Sequence, residues 1–225
     1  MTDIRDSLRH MLLVEQPYTL DHGRLPIVDR ELSAVLRAGV PGDIVELGCY
    51  LGGTTAWMRA IVDAHGQDRT IHTYDSFEGL PDAGPHDGTH LLAGQFKVSP
   101  DAVTALHERI GLTPPVVHVG WFDDTLPTRL PETIAFCYLD GDRYDSTLTG
   151  LRHVVPRLAP GGVLLLDDYA DANAPGGTAV AQPRVPGVMR ACQDYFGGPP
   201  PLTVISEEFG WGMGVYRAAD AAVAG

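Results

Sequence analysis

Cysteine is scarce in this chain. Its three thiols, Cys49, Cys137 and Cys192, are too few and too scattered over 225 residues for a disulfide framework or a zinc site. Cys49 and Cys137 fall at or in apolar strand segments and read as small core residues. Positive charge is also short: 16 Lys and Arg face 29 Asp and Glu, a net charge of −13. Nucleic acids and anionic membranes are recognised through an excess of Lys and Arg, so this balance argues against both as partners. Solubility accounts for the charge itself. Long apolar runs are missing, and no stretch approaches the roughly 20 residues that cross a bilayer. The opening Met1-Thr2-Asp3-Ile4-Arg5-Asp6 is not followed by the apolar segment of a secretory signal. The expectation is a cytoplasmic protein. Internal repeats and low-complexity linkers are absent too.

What is present fits one large α/β domain. Apolar residues make up 44% of the chain, ordinary for a protein with a sizeable core. Helical spacing over residues 3–14 (Ile4, Leu8, Met11, Leu12) and 26–38 (Ile27, Val28, Leu32, Val35, Leu36) predicts an N-terminal helical cap over residues 1–40. Strands at 43–48, 70–75, 115–119, 134–139 and 162–167 then alternate with helices at 53–65, 100–110 and 145–158. Such alternation implies right-handed βαβ units and a parallel sheet with helices on both faces. After a helix near 184–196, residues 202–206 and 211–216 are separated only by a short turn. They predict an antiparallel hairpin at the sheet edge, because parallel neighbours need a long crossover. Residues 76–99 and 169–183, rich in Gly, Pro, Asp and His or Asn, are candidate lids. Plain surface loops explain them equally well.

Two acidic clusters carry most of the functional information. Asp140-Gly141-Asp142 and Asp167-Asp168 each follow an apolar run that reads as a buried parallel strand. Ligands of open α/β sheets bind outside the carboxyl ends of the strands. If the two strands are neighbours, several carboxylates converge on one crevice, and hard cations such as Mg²⁺ prefer oxygen ligands of this kind. Helix capping or loop solvation explains one acid of Asp167-Asp168, but not both clusters together. Turn chemistry explains Asp142 as well as catalysis does. Asp145, just before Ser146 and Thr147, is expected to cap the following helix.

The first strand ends in Glu46-Leu47-Gly48-Cys49-Tyr50-Leu51-Gly52-Gly53-Thr54-Thr55. Its Gly-x-x-x-Gly-Gly spacing departs from the dinucleotide fingerprint, which opposes NAD, and it lacks the Gly-Lys-Ser/Thr of a P-loop. Alone it is equally a structural turn. Asp75, ending the second strand, lies at the distance from that turn where an acid reaches a ribose diol, and together they favour a nucleoside cofactor.

With these residues in place the chain resembles the macrocin O-methyltransferase (TylF/MycF/NovP-like) family of class I S-adenosylmethionine-dependent methyltransferases. The likeness runs in order from about residue 19 to 217. It includes Gly39-Val40-Pro41-Gly42-Asp43-Ile44-Val45-Glu46-Leu47-Gly48, Asp75-Ser76-Phe77-Glu78-Gly79-Leu80-Pro81, Gly120-Trp121-Phe122-Asp123-Asp124-Thr125-Leu126-Pro127, Asp140-Gly141-Asp142-Arg143-Tyr144-Asp145 and Gly161-Gly162-Val163-Leu164-Leu165-Leu166-Asp167-Asp168-Tyr169. The resemblance implies a Rossmann-like class I methyltransferase: a seven-stranded, mostly parallel sheet with an antiparallel C-terminal hairpin. This domain would occupy residues 41–217, with a tail at 218–225. It implies S-adenosylmethionine held by Glu46, Gly48, Gly52, Gly53, Thr54, Asp75 with Ser76 beside it, and Asp140. Trp121 and Phe122 would lie near the adenine, or serve as core packing. It implies Mg²⁺ on Asp140, Asp167 and Asp168, and Asp142 as general base.

Such a site makes chemical sense. An aliphatic hydroxyl is a poor nucleophile until a chelating Mg²⁺ lowers its pKa and a carboxylate takes its proton. The expected reaction is methylation of a sugar hydroxyl on a glycosylated natural product, in antibiotic biosynthesis. The alternatives are a catechol-type or phenolic O-methyltransferase and a non-catalytic nucleoside-binding protein. His86 and His90 could act as bases from a lid, although loop histidines are usually solvated. The connection 170–186 is longer than the family's usual one and lies where an acceptor would enter. Apolar faces on the N-terminal helices, with the resemblance, suggest a homodimer.

Overall fold

In the computed structural model, residues 4–177, 184–208 and 211–219 are described. Helices α1 (Ile4–Glu15) and α2 (Arg24–Arg37) precede β1 (Asp43–Leu47), α3 (Gly53–Ala64), β2 (Ile71–Asp75), α4 (Asp101–Ile110) and β3 (Val116–Val119). Then come α5 (Phe122–Arg129), β4 (Ile134–Leu139), α6 (Tyr144–Val154), β5 (Leu158–Leu166), α7 (Pro186–Phe196), β6 (Thr203–Glu208) and β7 (Trp211–Arg217). The strands form one sheet in the order β3-β2-β1-β4-β5-β7-β6. Strands β1 to β5 run parallel, and β7 is antiparallel to both β5 and β6. This is the Rossmann-like class I methyltransferase sheet that the resemblance implies, with the C-terminal hairpin at its edge. The hairpin's connecting residues, 209–210, lie outside the described residues, as do the tail from 220 onward and residues 1–3.

The pleat explains the layering. Successive strand side chains point to opposite faces, and here both faces are apolar. Phe136, Tyr138, Val163 and Leu165 join the core of α1, α2 and α3 through Leu12, Leu32, Met58 and Ile61. Their neighbours Cys137, Leu139, Leu164 and Leu166 join the core of α6 and α7 through Leu151, Val154, Val188 and Cys192. Every residue of β4 is buried, as expected for a central strand covered on both sides. All three cysteines are buried and free, consistent with the core reading of Cys49 and Cys137.

The structure corrects three local expectations. Helix α5 was not legible: it has only eight residues, Pro127 lies inside it, and Thr125 and Leu126 are its only buried residues. The helix expected at 145–158 stops at Val154 because Pro156 cannot continue it; a single 3-10 turn follows and β5 begins early, at Leu158. Asp145 is not the cap of α6. Arg143 holds that position, Asp145 sits in the first turn, and the N-cap side chain makes no capping hydrogen bond.

Tyr169, immediately after the second acidic cluster, is fully buried against β7. A methyl group on Gly214 would lie 2.8 Å from its ring at Cδ1, so only glycine lets β7 pass beneath it. Gly214→Ala is expected to destabilise the protein by about 1–3 kcal/mol. A lower urea midpoint at unchanged m would show it.

Candidate functional site

A cavity of about 610 Å³ opens at the carboxyl ends of the parallel strands, within the roughly 300–1,000 Å³ range of small-molecule sites. Of the residues picked out by sequence, Glu46, Gly48, Gly53, Thr54, Asp75, Ser76, Trp121, Phe122, Asp140, Asp142, Asp167 and Asp168 all line it. Gly52 does not. It is the left-handed N-cap of α3, and a methyl group there would meet Val103 of α4 at 2.9 Å. Gly48 has φ +85°, and a methyl group there would collide with the carbonyl of Asp140. The glycine therefore allows β1 and β4 to end side by side. Gly120, Trp121 and Phe122 follow β3, with Trp121 capping α5 and 42% exposed at the cavity.

Asp75 is bound more tightly to the protein than its strand-end position suggests. Its Oδ2 accepts from the backbone N–H groups of Cys49 (3.0 Å) and Tyr50 (2.9 Å), and its Oδ1 from that of Phe77 (2.8 Å). It thereby fixes the glycine turn while still facing the cavity. Glu46 is buried, and its Oε2 accepts from the hydroxyls of Thr55 and Thr73. Burial pushes its pKa up to about 8, against which those hydrogen bonds act only partly.

The acids meet as the neighbouring strands β4 and β5 require. Asp140, Asp142 and Asp168 each present a carboxylate oxygen, all within 4.8 Å of one another. Burial first, and repulsion from Asp167 next, raise all three carboxyl groups: Asp142 to about 7, Asp140 and Asp168 well above the usual range. Asp167 is differently placed. Its Oδ1 accepts from Arg24 Nε (2.7 Å) and from the N–H of Asp168 (3.0 Å), and its Oδ2 from the Tyr138 hydroxyl (2.7 Å). Arg24 also donates to Asp168 (2.9 Å) and Asp21 (2.8 Å), so one guanidinium ties three carboxylates together. Each carboxylate oxygen has two lone pairs, which leaves Asp167 one open position, on Oδ2.

An all-oxygen set of mutually repelling, partly desolvated carboxylates is what a hard divalent cation offsets. The residues present fit Mg²⁺, with Asp140, Asp142 and Asp168 best placed. The cavity fits a nucleoside cation equally well. It offers Gly53 and Thr54 at the buried N-terminus of α3, the ring of Trp121 and carboxylates at several points of its wall.

Sequence reasoning missed part of the site. Gln16, Tyr18, Leu20 and Arg24 form a wall from the segment joining α1 to α2. The only local signal was Asp21, whose Oδ1 accepts from the N–H groups of Gly23 and Arg24 and so starts α2 two residues earlier than its apolar spacing indicated. The 76–99 connection does cover the cavity, through Gly79, Leu80, Pro81, His90, Leu91, Gln95 and Phe96. His86 is not at the cavity; its ring lies 4.5 Å from that of Tyr144. Of the other candidate lid, residues 178–183 lie outside the described residues. Among the described residues, non-glycine positive φ occurs at Tyr50, Phe77, Phe96, Asp142 and Asp168, and all but Phe77 line the cavity. Such backbone persists where surrounding contacts over-determine it, and it clusters at functional sites.

Comparison with known proteins accords with this geometry. The sequence is 42% identical over 149 residues to the 8-demethyl-8-(2,3-dimethoxy-alpha-L-rhamnosyl)-tetracenomycin-C 4'-O-methyltransferase of Streptomyces olivaceus, covering 62% of this chain and 57% of that protein. It is 38% identical over 159 residues to the mycinamicin III 3''-O-methyltransferase of Micromonospora griseorubida, covering 65% and 62%. The chain thus matches less than two thirds of the length of either relative. Among solved structures it is similar to the O-methyltransferase NovP, with a TM-score of 0.70 and 28% identity over 87% of this chain and 79% of that one. The profile of the macrocin-O-methyltransferase (TylF) family matches residues 18–184, and the chain belongs to that family.

Proposed function

We propose that this protein is an S-adenosylmethionine-dependent O-methyltransferase that uses Mg²⁺ to methylate a sugar hydroxyl of a glycosylated natural product. One observation carries the reading: the glycine turn with Asp75 and the cluster of Asp140, Asp142 and Asp168 share a single cavity. The relatives named for methylation of a rhamnosyl-tetracenomycin and of mycinamicin III support a sugar acceptor over a catechol.

In this reading the 48–53 turn and the N-terminus of α3 hold the methionine end of the cofactor, and Asp75 and Ser76 the ribose. Trp121 and Phe122 flank the adenine. S-adenosylmethionine supplies an electrophilic methyl group on a cationic sulfur, and Mg²⁺ supplies Lewis acidity that makes a bound hydroxyl easier to deprotonate. Asp140 and Asp168 would hold the metal, with Asp167 beside them as a third candidate ligand. Arg24 and Tyr138 keep Asp167 and Asp168 in a fixed orientation, an outer-shell role. Asp142 would take the proton from the acceptor hydroxyl as its oxygen bonds to the methyl carbon and the S–CH₃ bond breaks, with S-adenosylhomocysteine as the leaving group. Burial and the neighbouring Asp167 raise the proton affinity of Asp142 above that of a solvated carboxylate, the direction a general base needs. Walls from 16–24 and 76–99 exclude water and align the acceptor with the methyl group, a positioning effect that accounts for several kcal/mol of a barrier reduction. The reading includes a cytoplasmic protein; among the described residues no helix is long and apolar enough to cross a membrane.

Calorimetric titration with S-adenosylhomocysteine and then Mg²⁺ tests the reading. The nucleoside should bind, a separate Mg²⁺ signal should vanish in Asp140→Ala, and turnover of glycosylated acceptors should stop with EDTA and return with Mg²⁺. Well-folded protein that binds no S-adenosylhomocysteine would sink it.

Glu46 adds a pH signature. The folded protein keeps its proton up to about pH 8, whereas an ordinary carboxyl loses it near 4.5. The folded state therefore binds more protons between those limits, and this contribution to stability is full below about 4.5 and declines as pH rises towards 8. Glu46→Gln should flatten that decline, read as melting temperature against pH.

A homodimer belongs to the same reading. Val14 on α1 is 65% exposed and Tyr18 beyond it 95% exposed, a face on which a second copy would pack. Sedimentation velocity should find two chains per particle, and Val14→Glu should shift the protein to one.

A further inference from the structure

Helix α6 begins two residues after Asp142, yet its own N-cap side chain makes no capping bond. The first N–H groups of a helix need partners, and here one comes from 57 residues away. Asp87, in the 76–99 connection, accepts from the N–H of Tyr144, the first residue of α6, through Oδ1 at 2.8 Å. Its Oδ2 accepts from the N–H of Gly84, also at 2.8 Å, which holds the carboxylate in its own turn. A negative charge at this end of an 11-residue helix also opposes the helix dipole.

Two further contacts join the same parts. Arg143, only 2% exposed, donates from Nη2 to the carbonyl of Leu91 at 3.0 Å, and the His86 ring rests on Tyr144. From the other side, a methyl group on Gly187 of α7 would collide with Asp87 Oδ1 and lie 2.9 Å from the N–H nitrogen of Tyr144. Asp87 thus lies half-buried where its own connection meets α6 and α7. Meanwhile Asp142 is held at φ +56°, a left-handed conformation that needs support from its flanks.

We propose that Asp87 is a positioning residue for the acid cluster. By capping α6 it holds the Asp140-Gly141-Asp142 turn in its left-handed form, and it fastens that turn to the cavity wall carrying Leu80, His90 and Phe96. Occupation of the cavity and readiness of the carboxylates for a metal are then linked through Asp87, beside the Arg143 and His86 contacts. Linkage is reciprocal: a nucleoside that favours this wall also favours the metal-binding form of the turn. The proposal rests on the methyltransferase reading above.

The test is Mg²⁺ affinity at saturating S-adenosylhomocysteine for the full chain and three variants. Asp87→Ala should weaken Mg²⁺ binding by about tenfold, the scale seen when outer-shell partners of metal ligands are lost. Asp87→Asn keeps an oxygen acceptor for Tyr144 but loses the one for Gly84, so it should restore part of the affinity. Gly187→Ala, whose methyl group would press on both Asp87 Oδ1 and the first residue of α6, should reproduce the loss. A merely structural role would lower the melting temperature of Asp87→Ala and leave Mg²⁺ affinity alone. Unchanged Mg²⁺ affinity in folded Asp87→Ala and Gly187→Ala therefore overturns the proposal while the methyltransferase reading stands. Wild-type protein that binds neither S-adenosylhomocysteine nor Mg²⁺ refutes that reading, and this proposal with it.

Discussion

Mutual repulsion among carboxylates is the constraint around which this molecule is organised. Strands β4 and β5 are neighbours in a parallel sheet, so the residues following them emerge together, and those residues are Asp140, Asp142, Asp167 and Asp168. Burial beneath the cavity walls makes their repulsion stronger than it would be in water. The fold answers with Arg24, whose guanidinium reaches two of these acids, and with the Tyr138 hydroxyl. Asp140 and Asp142 are offset only in part, Asp140 by Arg24 and Asp142 by Arg143 and Arg24, and burial with the neighbouring acids still raises both. A set of acids only partly neutralised from within is suited to an added divalent cation, and to a cofactor that is itself positively charged.

The same need for neutralisation ties distant parts of the chain together. Arg24 lies at the start of α2, more than 140 positions before its partners. Its place is set by Asp21, by the packing of α2 on α3, and by Trp57, whose indole N–H donates to the carbonyl of Leu25 at 2.8 Å. The N-terminal helices are therefore part of the site's architecture, and their apolar side chains lie in the same core as one face of the sheet. On the opposite side the 76–99 connection is fastened to α6 by Asp87 and Arg143. Strained residues lie between these anchors: Tyr50, Phe96, Asp142 and Asp168 take left-handed backbone where the walls meet the strand ends.

Local pattern made much of this legible. Alternating strands and helices, the edge hairpin, the glycine turn and both acidic clusters depend on runs of neighbouring residues, and each is present in the expected order, with the junction of α6 and β5 shifted. The misses share a cause. Helix α5 has too short an apolar face to show a period, and it starts on Trp121-Phe122, which read as site residues or core. Asp145 looked like a cap because caps are usually local, but the carboxylate that performs the task at α6 comes from Asp87. Arg24, ahead of the apolar stripe of α2, carries no local signal of a role beside residues 143 and 144 positions further on. Asp167 and Asp168 looked equivalent, and nothing in a dipeptide tells which will be enclosed by hydrogen bonds.

By itself the sequence determined the sheet, the strand ends and the chemistry of the side chains placed there, because hydrophobic period and turn residues act over a few positions. It also determined the family, through short motifs kept in order. Only the tertiary structure decided which acids face one another, which are already satisfied, and which distant charges hold them. Those outcomes depend on distances of 3 to 5 Å between residues far apart in the chain, and on how much water the walls exclude. Both come into existence only when the layers pack.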